Sequence, residues 1–173
     1  MNIGIFGVGK FGETHIKVLQ SIQEISIVGF FDPDKKRADD ISKKYHIKSY
    51  ETAISLIEKC DAIDIVSNTN THFDVIQIGI ENNKHIFVEK PICSNHIELK
   101  NLTKHTLNYK PIIQVGHIER FNPAFRELNK IINDEKIVVL EARRHSPHSD
   151  RANDVSVVMD LMIHDIDLVL ELV

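Results

Sequence analysis

Lys90 stands between Glu89 and Pro91 where a short apolar run ends, and Asp160 and His164 lie four positions apart in a long apolar segment. These residue types steady developing charge and move protons. An ammonium on a backbone constrained by the following proline can hydrogen-bond an oxygen that turns negative. A carboxylate one helical turn from an imidazole can orient and polarise it, and a tuned imidazole is the usual base for a hydroxyl proton near neutral pH. Ser156, Asp160, His164, Asp167 and Glu171 recur at spacings of four, four, three and four, which puts them on one helical face. A solvated stripe has the same pattern, so the stripe alone leaves a catalytic edge and a wet surface both open.

A second group lies at the start of the chain. Gly7, Gly9 and Gly12 form G-x-G-x-x-G directly after the apolar run NIGIF and directly before a helical pattern. In that context the motif means dinucleotide binding. The first glycine makes the tight turn, the second lets backbone approach a pyrophosphate, and the third lets helix pack on strand. The helix N-terminus offers its unpaired N–H groups and partial positive charge to the phosphates. Asp32 ends the next run, twenty positions after Gly12. An acid there accepts from ribose hydroxyls and repels a 2′-phosphate, which favours NAD over NADP. Lys35, Lys36 and Arg37 follow and weaken that preference, so NADP stays as the second cofactor. The plain alternative for Asp32 is the opening of an Asp-Pro turn.

These residues need a scaffold, and the rest of the sequence supplies its pattern. Five apolar runs of strand length, at 2–8, 25–32, 62–68, 85–90 and 111–117, are rich in Ile, Val and Phe and mostly lack alternation. That is the signature of strands covered on both faces. A minor strand is expected at 47–50. Helices are expected at 11–20, 35–44, 52–59, 73–81 and 97–107, with Asp34, Glu51, Thr71 and Asn95 at or near their starts. Such alternation predicts an α/β fold, a doubly wound parallel sheet of the Rossmann type over residues 1–118. Ligands of such sheets sit at the carboxyl ends of the strands. Three polar clusters fall there: SNTNTH (67–72), EKP (89–91) and GHIER (116–120).

The pattern changes after residue 118. A helix is expected at 122–134 with Pro123 in its first turn, a strand at 136–144, a polar loop at 145–154 and one long helix at 155–173. One strand and one helix make a poor domain, so residues 119–173 read as the start of a second, incomplete α/β domain.

Composition limits the function. With 42% hydrophobic and 27% charged residues the chain is of the globular class. Its net charge of -4 argues against a nucleic-acid partner. No apolar run is long enough for a membrane span. Neither a basic leader region nor a cleavage site follows Met1, and the cytoplasm is the expected compartment. The two cysteines, Cys60 and Cys93, are too far apart in sequence for a CxxC site and too few for a disulfide framework. His145 and His148 form H-x-x-H without a third convincing ligand, so no metal site is expected.

Taken together, GIFGVGKFGETH at the start, Asp32, VEKPI at 88–92 and MDLMIHDIDL at 159–168 resemble the glucose–fructose oxidoreductase/inositol dehydrogenase (Gfo/Idh/MocA) family. The resemblance implies a Rossmann domain followed by a domain with an open, mostly antiparallel sheet. It implies hydride transfer between a nicotinamide and a carbinol carbon, often on a sugar. By the same resemblance Lys90, Asp160 and His164 are the catalytic residues, and the Lys90–Pro91 peptide is cis. The cofactor contacts are Gly7, Val8, Gly9, Lys10, Phe11, Gly12, Asp32, Ser67, Asn68, His72, Glu89 and Lys90. Ser67-Asn68 departs from the Thr-Pro common in the family. VGHIERFNPAF (115–125) is most similar to the branch that oxidises UDP-N-acetylglucosamine at C3. It makes Lys90, Arg120, Asn122, Arg143 and His164 the substrate contacts, with Arg144 a further basic candidate for a diphosphate. Family members are about twice this long, so a homo-oligomer interface and much of the substrate wall are expected outside these residues. Two other readings stay open: a non-catalytic dinucleotide-binding remnant, and a biliverdin- or imine-reducing enzyme on the same scaffold.

Overall fold

Short runs of Ile, Val and Phe become strands here because both faces of each are covered by helices. In a computed structural model of the chain, which describes residues 1–132, 137–145 and 156–173, the elements alternate as expected. They are β1 (Asn2–Phe6), α1 (Lys10–Gln20), β2 (Ser26–Phe31), α2 (Lys35–Tyr45), α3 (Ala53–Ile57), β3 (Ala62–Ile65), α4 (Thr69–Glu81), β4 (His85–Val88), α5 (His96–Thr106) and β5 (Ile113–Val115). The strands are all parallel, in the order β2-β1-β3-β4-β5. The order reverses at β1, between β2 and β3, and this switch point opens a crevice at the carboxyl ends of the strands.

Alternate side chains enter two separate cores. On one face Ile5, Val8, Ile16, Phe30, Ala38, Ile41 and Ile47 pack beneath α1 and α2. On the other, Phe6, Leu56, Ile57, Ile63, Ile65, Ile76, Ile86, Val88 and Leu102 pack beneath α3, α4 and α5. Fully burying one such side chain stabilises by about 1.5–3 kcal/mol, so the sheet is held from both sides. The helix starts are fixed locally. Asp34 accepts from the Arg37 amide, Thr52 from that of Ser55, and Asn95 from those of Ile97 and Glu98. Thr52 rather than Glu51 therefore caps α3, and α4 begins after Asn68 rather than at Thr71. Segment 47–50 contributes only an isolated bridge, Ser49 to Phe30.

The chain divides into two compact units, Met1–Val115 and Gly116–Val173. In the second, a 3-10 turn (Ile118–Phe121) leads into α6 (Pro123–Ile132). Pro123 opens α6, where its missing N–H costs nothing. The expected strand at 136–144 does not form over its described residues: 137–144 carry no strand pairing, and Val138 and Val139 are 87% and 84% exposed. A strand needs a neighbour for its ladder, and among the described residues of this unit none is present. The expected loop at 145–154 lies, beyond His145, outside the described residues. The long C-terminal helix is in two parts, a π-helical turn (Val158–Met162) followed by α7 (Ile163–Leu172).

Candidate functional site

The glycine loop joins β1 to α1, and each glycine meets a different constraint. Gly7 has φ +88, a left-handed conformation that favours glycine, and a Cβ there would lie 2.6 Å from the Ser67 Cα. At Gly12 a Cβ would fall 2.2 Å from the Gly7 carbonyl oxygen, so only glycine lets α1 sit this close to the turn. Gly9 is different. Its φ of -64 and ψ of -169 suit most residues, and a Cβ would meet nothing within 4 Å. The open space at Gly9 lies at the N-cap of α1, beside first-turn N–H groups that have no partner within a helix. The Glu13 amide, 2.9 Å from the Gly9 carbonyl, is the first to close the ladder. A bare glycine with room beside it, at the positive end of an eleven-residue helix, is the cradle a pyrophosphate fits.

Asp32 is buried at the end of β2 and braces that cradle. Its Oδ2 accepts the Val8 amide at 2.9 Å, and its Oδ1 accepts the Asp34 amide at 2.9 Å. The Arg37 guanidinium lies 3.4 Å from both oxygens. The acid is thus a brace for the glycine loop, and it carries a cation close by. Lys10 and Phe11 are exposed on the first turn of α1.

At the ends of β3 and β4 the expected loops are stitched together by His72. The residue is 1% exposed. Nδ1 lies 2.9 Å from the Pro91 carbonyl and Nε2 3.0 Å from the Ser67 carbonyl. A ring N–H donates to one of these carbonyls, and the buried ring packs between the Ser67 loop and the turn after Lys90. Ser67 also shares a 2.6 Å hydroxyl contact with Thr71, whose hydroxyl donates to the Asn68 carbonyl. The Lys90–Pro91 peptide is cis, as the resemblance implies. The Lys90 amide donates to Glu89 Oε2 at 3.2 Å.

Two residues that sequence reasoning passed over complete this edge. His15 of α1 and Asp64 of β3 meet at 2.9 Å, and His15 Nε2 lies 3.4 Å from Glu89 Oε1. Burial disfavours the charged ring. The hydrogen bonds and attraction of Asp64 and Glu89 outweigh it and push the His15 pKa up to about 9. Burial raises the Asp64 carboxyl above its ordinary range, and the His15 hydrogen bond only partly offsets it. A lone acid inside the apolar run AIDI was the available signal.

In the second unit the polar stripe is not simply a wet face. Asp167 is buried and binds Arg120 through two bonds, Nε to Oδ2 at 2.8 Å and Nη2 to Oδ1 at 2.7 Å. Arg120 also pairs with Glu171. The Arg120 hydrogen bond holds the Asp167 carboxyl below its ordinary range. Asn122 caps the start of α6, its Oδ1 accepting the Ala124 amide at 3.0 Å. Arg143 is exposed and pairs with Glu141, whereas Arg144 grips Asp165 at 2.9 Å. Asp160 lies in the π-helical turn and His164 in the first turn of α7. The widened turn changes the regular four-residue spacing assumed from sequence, and such turns are frequent at functional sites.

Comparison with known proteins agrees with this geometry. Residues 1–117 match the family model GFO_IDH_MocA, described as an oxidoreductase family with an NAD-binding Rossmann fold. The chain is 32% identical over 170 residues to UDP-N-acetylglucosamine 3-dehydrogenase of Acidithiobacillus ferrooxidans, covering 98% of this chain and 53% of that protein. It is 27% identical over 178 residues to myo-inositol 2-dehydrogenase of Thermotoga maritima, covering 97% and 53%. A solved structure of the Acidithiobacillus ferrooxidans enzyme superposes with a TM-score of 0.84 at 30% identity, over 99% of this chain and 56% of that one. The chain spans about half the length of the curated relatives it matches. No helix of the described residues is long and apolar enough to cross a membrane. With its glycine cradle, its braced acid and its Glu-Lys-Pro turn on one edge of a Rossmann sheet, the chain belongs to the Gfo/Idh/MocA family of NAD-binding oxidoreductases.

Proposed function

We propose that the chain provides the NAD-binding unit and part of the substrate unit of a dehydrogenase acting on a carbinol carbon of a sugar or nucleotide sugar. UDP-N-acetylglucosamine oxidised at C3 is the first substrate to test, by likeness to a relative 32% identical over 98% of this chain. The observation that carries the reading is the open space at Gly9 in front of the α1 N-terminus, on the sheet edge that also bears Lys90. The residues present fit NAD: first-turn N–H groups for the pyrophosphate, Asp32 for the ribose, and the Ser67 and Glu89 loops beside them. When bound, NAD supplies the acceptor for a hydride leaving the carbinol carbon.

The chain's own residues would handle the proton and the charge. His164 would take the hydroxyl proton at its ring nitrogen. Lys90 would donate a hydrogen bond to the same oxygen and stabilise its negative charge. Asp160 would favour the protonated imidazole once the proton has arrived. His72 would hold the Lys90 turn in register with the Ser67 loop. Arg143 and Arg144 would contact a diphosphate, and Asn122 the rest of the substrate. Arg120 already shares its guanidinium with two carboxylates, so its part is to shape the pocket wall. Calorimetry with NAD, and turnover with UDP-N-acetylglucosamine and with myo-inositol, test the reading. In the complete enzyme, Lys90→Ala and His164→Ala are expected to lower turnover by about 10²–10⁴-fold while NAD affinity holds; these 173 residues alone are expected to bind NAD with little or no turnover. Absence of NAD binding, or full turnover in His164→Ala, would overturn it.

A further inference from the structure

His15 faces a carboxylate with each ring nitrogen. Nδ1 is 2.9 Å from Asp64 Oδ2 and 3.3 Å from Oδ1, and Nε2 is 3.4 Å from Glu89 Oε1. A neutral imidazole carries one N–H and could serve only one of them; two carboxylates require two N–H groups, and therefore the cation. The three side chains are shielded, at 17%, 6% and 13% exposure for His15, Asp64 and Glu89. Phe11 packs edge-on against the ring at 5.0 Å, and Phe87 covers it at 6.0 Å. Asp64 and Glu89 are the charged groups that face His15 from β3 and from the end of β4. Removing the ring would leave two shielded carboxylates without their cation, a costly arrangement.

The arrangement has a direction. Glu89 uses one oxygen for His15 and the other for the Lys90 amide, 3.2 Å away. The ring sits on α1, whose first turn forms the glycine cradle. We propose that His15, as an imidazolium, is a positioning residue for Lys90: it links the helix behind the cofactor loop, through Glu89, to the backbone of the catalytic turn. This assignment rests on the reading of Lys90 as the residue that meets the reacting oxygen. The link itself is physical and exists whether or not Lys90 does that chemistry. It makes the Lys90 backbone sensitive to the charge on a ring that never touches it.

The test follows two nuclei in the same protein. The His15 ring nitrogens and the Lys90 amide are recorded by NMR from pH 6 to pH 10.5 on the full chain. Coupling predicts that the Lys90 amide shift titrates with the His15 ring, at one shared midpoint near 9. In Glu89→Gln, which keeps an acceptor oxygen but not the charge, the His15 midpoint is expected to fall and the Lys90 shift to lose its dependence. In His15→Gln the Lys90 amide is expected to be flat across that range. A merely structural histidine would leave the Lys90 shift uncoupled. Should His15→Gln fail to fold, the parent and Glu89→Gln curves decide alone. A Lys90 amide that ignores the His15 titration, or that titrates unchanged in either variant, would overturn the proposal. Loss of turnover in Lys90→Ala tests the underlying reading separately, because it does not depend on the link to His15.

Discussion

Gly9 and Gly12 are three residues apart in one motif, yet the structure separates what each is for. An alanine at Gly12 would put its Cβ 2.2 Å from the Gly7 carbonyl oxygen and 3.0 Å from its carbon. Both obstacles are backbone, so no rotamer relieves them, and α1 must move off the turn. Overpacking of this kind costs about 1–3 kcal/mol or more. In a chain of 173 residues each kcal/mol lowers the melting temperature by about 2–4 °C, so Gly12→Ala should lose several degrees, up to about 10 °C. At Gly9 the same methyl meets nothing within 4 Å. Its cost is the weaker helix cap, at most about 1 kcal/mol, or a few degrees. A larger side chain there fills the space in front of the α1 N–H groups. Gly9→Val should therefore keep its fold and lose at least about tenfold in NAD affinity, some 1.4 kcal/mol. Scanning calorimetry without cofactor and titration calorimetry with NAD read the two effects apart. If Gly9→Val melts as early as Gly12→Ala, or binds NAD like the parent, the cradle is not where this geometry puts it.

Asp32→Ala should shift selectivity toward NADP and also lower stability by about 1–3 kcal/mol, because the Val8 amide loses its buried acceptor; urea unfolding that matches the parent would remove the bracing role. His72→Ala should cost about 2–4 kcal/mol and increase hydrogen exchange at the Ser67 and Pro91 loops together, since one buried ring packs between their carbonyls. Exchange rising in only one loop would contradict that. The His15 pKa is raised from 6.5 to about 9, so its contribution is fully present below 6.5 and is lost as pH rises through about 9. The limit of such a shift is about 3 kcal/mol; water at the ring and the cost of burying Asp64 reduce it to about 1–2. The urea midpoint should fall between pH 7 and pH 10 in the parent and hold steady in His15→Gln, and a flat parent would refute the sign.

The first unit was legible because its signals are local and redundant. A continuous apolar run such as AIDIV reads as a covered strand, a cap such as Asn95 fixes its own helix start, and G-x-G-x-x-G reads as a cradle once a strand precedes it. The His15–Asp64–Glu89 cluster was not legible, because its members are 49 and 25 positions apart in sequence and meet only when β3 and β4 pair and α1 folds over them. The bracing role of Asp32 was hidden for the same reason: an acid proposed for the ribose and a loop brace look alike until the Val8 amide is seen on it. In the second unit the run KIVVLEARR has strand composition, yet composition does not supply the neighbouring strand on which a ladder depends. The π-helical turn was also unreadable, since the spacing of polar residues is nearly the same for a regular helix.

Where the first unit buries polar groups points the same way. Among its described residues the buried polar side chains are Asp32, Asp64 and His72. Each is a liability inside an apolar core unless fully bonded. Asp32 binds the Val8 amide, Asp64 binds His15, and the His72 ring lies between the carbonyls of Ser67 and Pro91. All of these bonds lie on the carboxyl edge of the sheet or lead to it; the two cores beneath are apolar. A fold that needed only stability would gain from apolar groups at these positions, because a buried ion pair rarely outperforms good packing. The polar groups instead immobilise backbone: the loop of Gly7 to Gly12, the Ser67 loop, and the Glu89–Pro91 turn. In the function proposed above, those are the segments a dinucleotide and its reacting end would rest on, and their atoms can hold it only if they are fixed before it arrives. The expense in buried charge is thus confined to the edge where rigid backbone has a use.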